Sequence, residues 1–277
     1  MKFPAYQGRE FFMQSDQIKR EIVDTAHALA DVARIETLKH FRGGALGVEN
    51  KLARGFDPVT IADRAAETAM RAVLARRRPD DGIMGEEFGT TPGTTGLTWV
   101  LDPIDGTRGY LSGTPTWGVL IAVQAETGPI FGIIDQPFTG ERFIGGFGMG
   151  VWQRGEARRP LKSRPCAALS QAILFSTFPE VGTADEGEAF KAVASQAQLV
   201  RYGTDCYAYG LLALGQIDLV IEAGLQNYDI QAPIAVIEAA GGIVTNWQGG
   251  PCWNGGRVLA AGDRAAHAAA LEILKTC

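Results

Sequence analysis

In the first third of the chain the apolar positions recur at helical spacing. Ile18, Ile22, Ala26, Leu29 and Val32 or Ala33 share one face, which predicts a long helix capped by Ser15 and closed by Gly43-Gly44. A second stripe, Ala62, Ala66, Met70 and Val73, follows Thr60 and Asp63, whose spacing is that of a capping box. Beyond it the pattern turns strand-like. Trp117 to Gln124, Ile130 to Asp135 and Arg142 to Gly146 are separated by Gly, Pro and Thr turns, which predicts an antiparallel meander. After about Pro160, short strands at Ile173 to Ser176 and Ile217 to Glu222 alternate with helical stretches at Glu186 to Ala197, Cys206 to Leu214 and Ile230 to Ala240. That alternation predicts an α/β half. The expected organisation is an N-terminal extension (1–14), an α+β half (15–155) and a smaller α/β half (156–277).

Composition narrows the partners. A 277-residue chain can bury a substantial core, and its formal net charge of −5 provides no global field for nucleic acid or an anionic membrane. Arg76-Arg77-Arg78 falls where the second helix should end, where cations ordinarily gather. Cys166, Cys206, Cys252 and Cys277 show neither close pairing nor metal spacing, so a reducing cytoplasm is the expected compartment. No apolar run has the length of a membrane span, and residues 1–14 lack the apolar core of a secretory signal.

The candidate chemistry lies in the acids. Trp99-Val100-Leu101-Asp102-Pro103-Ile104-Asp105-Gly106-Thr107 ends an apolar run in two carboxylates, a proline, a glycine and a hydroxyl. Pro103 interrupts a regular ladder, so both acids can turn towards one point, and hard oxygen ligands of this kind suit Mg²⁺. Gly106 permits close backbone approach to an anion. An Asp-Pro turn followed by an Asp-Gly turn accounts for the same residues as loop punctuation. Three further acidic segments also sit at the ends of apolar elements: Asp57 to Asp63, Gly85-Glu86-Glu87-Phe88-Gly89, and Asp229, which an N-cap role would also explain. Four such segments together are what a carboxylate metal cluster requires.

These pieces, with Glu238-Ala239-Ala240-Gly241-Gly242, resemble in order the Mg²⁺-dependent, lithium-sensitive inositol monophosphatase-like phosphatases. Phe41-Arg42, Glu49-Asn50-Lys51, Ala62-Asp63-Arg64-Ala65-Ala66-Glu67, Gly132-Ile133-Ile134-Asp135-Gln136-Pro137 and Arg201-Tyr202-Gly203-Thr204-Asp205-Cys206-Tyr207-Ala208-Tyr209 look like the branch that hydrolyses histidinol phosphate. The resemblance implies a five-layer α-β-α-β-α sandwich with the site between its halves, and a homodimer. It implies two or three Mg²⁺ ions, the first on Glu86, Asp102 and the Ile104 carbonyl, the second on Asp102, Asp105 and Asp229. A weaker third ion would be held with the help of Glu86 through water.

By the same resemblance, a metal-activated water attacks phosphorus in line, positioned or deprotonated by Thr107 with Asp63 behind it. The Gly106 and Thr107 amides hold phosphate, and Lys51 is an electrostatic helper. Histidinol phosphate carries an ammonium and an imidazole, so its pocket calls for carboxylates, and Asp205 and Glu222 are the candidates. A helix N-cap is the competing explanation for Asp205. His27, His40 and His267 fall outside these motifs. Gly109-Tyr110, Gln226-Asn227-Tyr228 and Pro233 depart from the usual pattern near the pocket rim.

Alternative substrates within the resemblance are inositol 1-phosphate and phosphoadenosine phosphate. A covalent aspartyl phosphatase using Asp102 and a non-enzymatic metal-binding module are rival readings. The D-x-x-D-G-T spacing, with acids elsewhere to share the metals, argues against the first. The second lacks its usual signature of ligands alternating within one short loop.

Overall fold

A computed structural model of the chain describes residues 16–43, 49–50 and 58–275. The proposed extension 1–14, the Ser15 cap, Lys51 and Asp57 lie outside the described residues. The first helix, α1 (Asp16–His40), buries Ile22, Ala26, Leu29, Ala30 and Ala33, the face that the apolar spacing predicts. A short pair, β1 (Glu49–Asn50) and β2 (Pro58–Val59), precedes α2 (Ile61–Arg77). The capping box at the start of α2 is present: the Asp63 carboxylate accepts from the Thr60 amide at 2.8 Å, and the Thr60 hydroxyl accepts from the Ala62 amide at 3.1 Å.

The first sheet has eight strands: β3 (Gly82–Gly85), β4 (Gly89–Thr91), β5 (Thr98–Asp105), β6 (Gly118–Ala125), β7 (Gly128–Gln136), β8 (Glu141–Gly146), β9 (Met149–Arg154) and β10 (Ala157–Pro160). Their order is β10-β9-β8-β7-β6-β5-β3-β4. The meander expectation holds for β6 to β8, and the antiparallel run extends beyond it from β5 to β10, but β3 runs parallel to β5, so the sheet is mixed. Because β10 pairs with β9, the first sheet reaches Pro160 and overruns the boundary drawn at 155/156.

After β5 comes a short helix, α3 (Thr107–Ser112). The second half contains β11 (Ile173–Ser176), α4 (Ala184–Ala194), β12 (Leu199–Tyr202), α5 (Tyr207–Ala213), β13 (Leu219–Leu225), α6 (Asn227–Ala239), β14 (Ile243–Thr245), β15 (Gly256–Ala261) and α7 (Arg264–Leu274). Its five strands order as β12-β11-β13-β15-β14, with the first three parallel and the rest antiparallel.

Strand parity explains the layering. Along β6, Val119, Ile121 and Val123 join the cluster under α1 and α2, while Leu120 and Ala122 join the cluster facing α5 and α6. A third cluster lies between the second sheet and α4 and α7. The result is the expected α-β-α-β-α sandwich, with α5 and α6 in its middle layer. Burial on both faces makes β6 apolar from Val119 to Val123, each large side chain contributing about 1.5–3 kcal/mol.

The same parity places the chemistry. Trp99 and Leu101 face α1 and α2, whereas Val100 faces the middle layer. Asp102 is next on the middle-layer face, so a buried apolar row ends in a carboxylate opposite the start of α6.

Candidate active site

Asp102 and Asp105 are both still within β5, not beyond its end as the proline suggests. The pairing with β6 shifts register between them, from Asp102–Leu120 to Asp105–Gly118, and this irregularity holds Pro103. The Asp102 carboxylate accepts from the Ile104 amide at 3.0 Å. Gly106 then adopts φ 85° and ψ 40°, the left-handed conformation that favours glycine, and turns the chain into α3. The Thr107 hydroxyl donates to the Ile104 carbonyl at 3.1 Å, which leaves a second lone pair on that carbonyl.

Glu86 follows β3, and its amide bonds the Leu101 carbonyl at 3.1 Å. Its carboxyl lies against Asp102 and within electrostatic reach of Asp63. Asp63 is gripped by Thr60 through both the amide and the hydroxyl, the latter at 2.5 Å. The relay expected from the resemblance puts Thr107 against Asp63. Here the Thr107 hydroxyl is turned to Ile104 instead.

Asp229 comes from the second half. It is the third residue of α6 and not its cap: Gln226 occupies the cap position, and its amide donates to Asp229 at 2.7 Å. Pro233 has no amide hydrogen, so the regular helical bond to the Asp229 carbonyl is not made. One oxygen from each of Asp102, Asp105 and Asp229 lies within 4.8 Å of the others.

Asp205 is not an N-cap either. It precedes α5 at φ 44°, and the cap position is Cys206. The Cys206 amide donates to Asp105 at 2.6 Å across the two halves. The Asp205 carboxylate packs on the Asp105-Gly106 turn; a Cβ on Gly106 would come within 2.7 Å of its carboxyl carbon, and one on Gly109 within 3.2 Å of its oxygen. Glu222, buried on β13, accepts from the Thr177 amide at 2.6 Å, the Thr177 hydroxyl at 2.9 Å and the Ser176 hydroxyl at 3.3 Å. The structure therefore brings Asp205 onto the Asp102–Thr107 loop, whereas Glu222 is engaged by the end of β11. At the rim, Tyr110 fills space: its hydroxyl donates to the Thr37 carbonyl at 2.7 Å, and its ring packs on Phe41 and Trp117.

Burial, followed by the charges of Glu86, Asp105 and Asp229, pushes the Asp102 carboxyl well above the usual range. Burial, followed by Asp205 and Asp229, does the same to Asp105, against the Cys206 amide bond. Burial raises Asp63 to about 6, with Thr60 opposing, and Glu222 to about 7, with Thr177 opposing. Asp205 rises to about 6 through burial, moderated by Thr116 and Arg108. Among the described residues no cationic side chain pairs with Asp102 or Asp105. Converging hard oxygens, destabilised as bare anions, fit a divalent cation.

Residues 18–277 match the model of the inositol monophosphatase family. The chain belongs to that family. Members of the inositol monophosphatase family are metal-dependent phosphatases, which suits the acidic cluster. The chain is 40% identical over 260 residues to the chloroplastic bifunctional phosphatase IMPL2 of Arabidopsis thaliana, covering 90% of this chain and 73% of that protein. It is 34% identical to the histidinol-phosphatase of Mycobacterium tuberculosis, covering 86% and 92%. An inositol-1-monophosphatase of Caulobacter vibrioides is 32% identical, covering 72% and 79%. The solved inositol monophosphatase of Zymomonas mobilis superposes with a TM-score of 0.82 at 38% identity, covering 95% of this chain and all of that one. This family member is thus a phosphomonoester hydrolase acting on small phosphorylated substrates, and the non-enzymatic reading falls. Among the described residues no helix is long and apolar enough to cross a membrane.

Sequence reasoning passed over Glu67. This family member buries it fully on α2, one turn beyond Asp63, where it accepts from the Glu87 amide at 2.7 Å, the Phe88 amide at 3.3 Å and Arg71 Nε at 2.8 Å. It thereby holds the turn that carries Glu86. Its position beside Ala66 and Met70, on the edge of the apolar face, was the available signal.

Proposed function

We propose that the protein hydrolyses L-histidinol phosphate to L-histidinol and phosphate, with Mg²⁺ as its metal. The observation that carries the reading is the seat of Asp205: a carboxylate from the second half pressed against the turn that follows Asp105, where a cationic alcohol leaving the phosphate would emerge. The relatives named histidinol-phosphatase and the bifunctional phosphatase support it.

Glu86, Asp102, the Ile104 carbonyl, Asp105 and Asp229 are the residues that would hold the metal. Bound divalent metal supplies Lewis acidity towards the phosphoryl and leaving oxygens and makes a water acidic enough to act near neutral pH. Gly106 and Thr107 present backbone amides to the phosphoryl group. With its proton committed to Ile104, the Thr107 hydroxyl accepts from the attacking water and orients it. As the water passes its proton to the Thr107 oxygen, the hydroxyl turns from Ile104 towards Asp63 and gives its own proton to that carboxylate, which acts as the base. Asp205 receives the substrate's ammonium or imidazolium, and Glu222, when ionised, adds to the negative potential there.

The test is Mg²⁺-dependent phosphate release from histidinol phosphate, inositol 1-phosphate and phosphoadenosine phosphate in parallel. Preference for the first, abolished by Asp102→Asn, is the expected result. Preference for either of the others would keep the phosphatase and overturn the substrate.

A further inference from the structure

Arg42, two residues past the end of α1, stands in a backbone conformation that an arginine rarely takes, with φ 56°. Such a conformation persists only where its surroundings hold it. The hold is on the guanidinium: Nε and Nη2 donate to the Gly113 carbonyl at 3.0 and 2.8 Å, and the guanidinium carbon lies 4.4 Å from the centre of the Phe138 ring and 5.1 Å from that of Phe41. Gly113 is the C-terminal cap of α3. Arg42 therefore closes the end of that helix opposite Thr107.

α3 needs a hold from outside. Its six residues make a marginal helix on their own, and Gly106 at its start offers no side chain to cap it. The end of α1 supplies two contacts: Arg42 on Gly113, and the Thr37 carbonyl, which accepts from the Tyr110 hydroxyl at 2.7 Å. α1 is in turn fixed to the first sheet, since Arg34 donates to Asp135 on β7 through Nε and Nη2. The path from Arg42 to the site is short. At 1.5 Å per residue α3 spans about 9 Å, so a shift at Gly113 reaches Thr107 almost undiminished.

We infer that Arg42 is a positioning residue: by holding the far end of α3 to α1 it sets where Thr107 stands relative to the acidic cluster, and its loss lowers turnover without weakening the binding of substrate or metal. The inference rests on reading Thr107 as the residue that orients the attacking water, and does not depend on which alcohol leaves. The metal-holding acids lie on β5, after β3 and on α6, none of which Arg42 touches.

The experiment follows phosphate release from histidinol phosphate and from inositol 1-phosphate with the Mg²⁺-loaded enzyme, beside calorimetry of Mg²⁺ binding and thermal unfolding. Arg42→Gly removes the guanidinium and relieves the left-handed backbone in one change, so the hold is lost while the fold is spared. Its melting temperature should stay close to wild type, and kcat should fall about 10-fold, to the same extent for both substrates, as a small displacement of a reacting group would cause. KM and Mg²⁺ affinity should change little. Arg42→Lys keeps the charge and one donor group on the same backbone, and should retain more of kcat than the glycine variant. An unchanged kcat in Arg42→Gly, a loss confined to KM or to Mg²⁺ affinity, a loss that differs between the two substrates, or a lysine variant no better than glycine would each overturn the inference. A wild-type kcat in Thr107→Val would instead overturn the reading of Thr107. A wild type that prefers inositol 1-phosphate would overturn the substrate reading and leave the Arg42 variants to be compared on that ester.

Discussion

Asp102 and Asp135 are buried in the same sheet and meet opposite surroundings. Asp135, on β7, accepts from Arg34 Nη2 at 2.7 Å and Nε at 3.1 Å, and from Arg142 Nε at 2.6 Å. Arg142 continues to Asp31 at 2.8 Å and to His27 Nδ1 at 2.8 Å, pinning α1 to the sheet. Asp218 repeats the pattern in the second half with Arg164 and the Ile173 amide. Asp102, by contrast, has one backbone amide and a ring of other acids. Desolvation of a carboxylate costs several kcal/mol; at Asp135 two arginines offset it, and at Asp102 no described cation does. Burial alone therefore does not mark function. A buried acid among acids does, because only a ligand from outside completes it.

Breaking the comparison at Asp102 should produce the largest effect. Asp102→Asn is expected to cut metal-dependent phosphate release on the order of 10³-fold, several kcal/mol of transition-state stabilisation. Removing one charge from the crowded cluster should at the same time raise the melting temperature of the metal-free protein. A variant with intact activity, or one less stable without metal, would erase the distinction. At Asp135 the signs reverse. Asp135→Asn leaves Arg34 and Arg142 facing an uncharged group in a buried setting, so a stability loss of about 3–5 kcal/mol is expected in urea unfolding. Activity per folded molecule should change far less.

That division was only partly legible beforehand. The Asp102–Thr107 motif and the helical stripes of α1 and α2 are local, and local periodicity predicts which side chains go inside. Parity along β5 carries Asp102 onto the inner face for the same reason. What escaped is long-range. The bond from the Cys206 amide to Asp105 joins residues 101 apart, and an aspartate only weakly signals the left-handed backbone found at Asp205. Asp229 and Asp205 were both readable as caps, yet the caps are Gln226 and Cys206. Capping statistics rank residue types and do not locate the first helical turn.

The acid-crowded side of the comparison also has a pH signature, with Glu222 its clearest reporter. Its pKa is raised from 4.5 to about 7 in the folded protein. A raised carboxylate contributes stability below its unfolded pKa and loses that contribution as pH rises through the folded value. Asp63 and Asp205, both raised from 3.8 to about 6, act in the same direction. His27 and His267, lowered mainly by burial, oppose them, so the wild-type profile mixes both signs. Comparison with Glu222→Gln separates them. Between pH 5 and 8 the metal-free wild type should lose up to roughly 3 kcal/mol relative to the variant. Parallel profiles would mean that Glu222 is ionised throughout.

Glu67 sharpens the comparison, since it belongs to the paired class and serves the other. It is fully buried, has an arginine partner at 2.8 Å and spends its remaining capacity on two amides of the turn bearing Glu86. It cannot reach substrate from beneath that turn: a Cβ on Gly85 would collide with its carboxylate. Glu67→Gln retains the shape and one acceptor oxygen while weakening the bonds to Arg71 and the loop, so the turn should hold Glu86 less firmly. Outer partners of metal ligands typically govern about 10-fold or more in metal affinity. The expected outcome is therefore a roughly 10-fold higher Mg²⁺ concentration for half-activation, with kcat at saturating metal reduced much less. The measurement is a Mg²⁺ titration of activity beside direct calorimetry of metal binding. Equal loss at every metal concentration would instead give Glu67 a part in the chemical step, which its position under the Glu86 turn argues against.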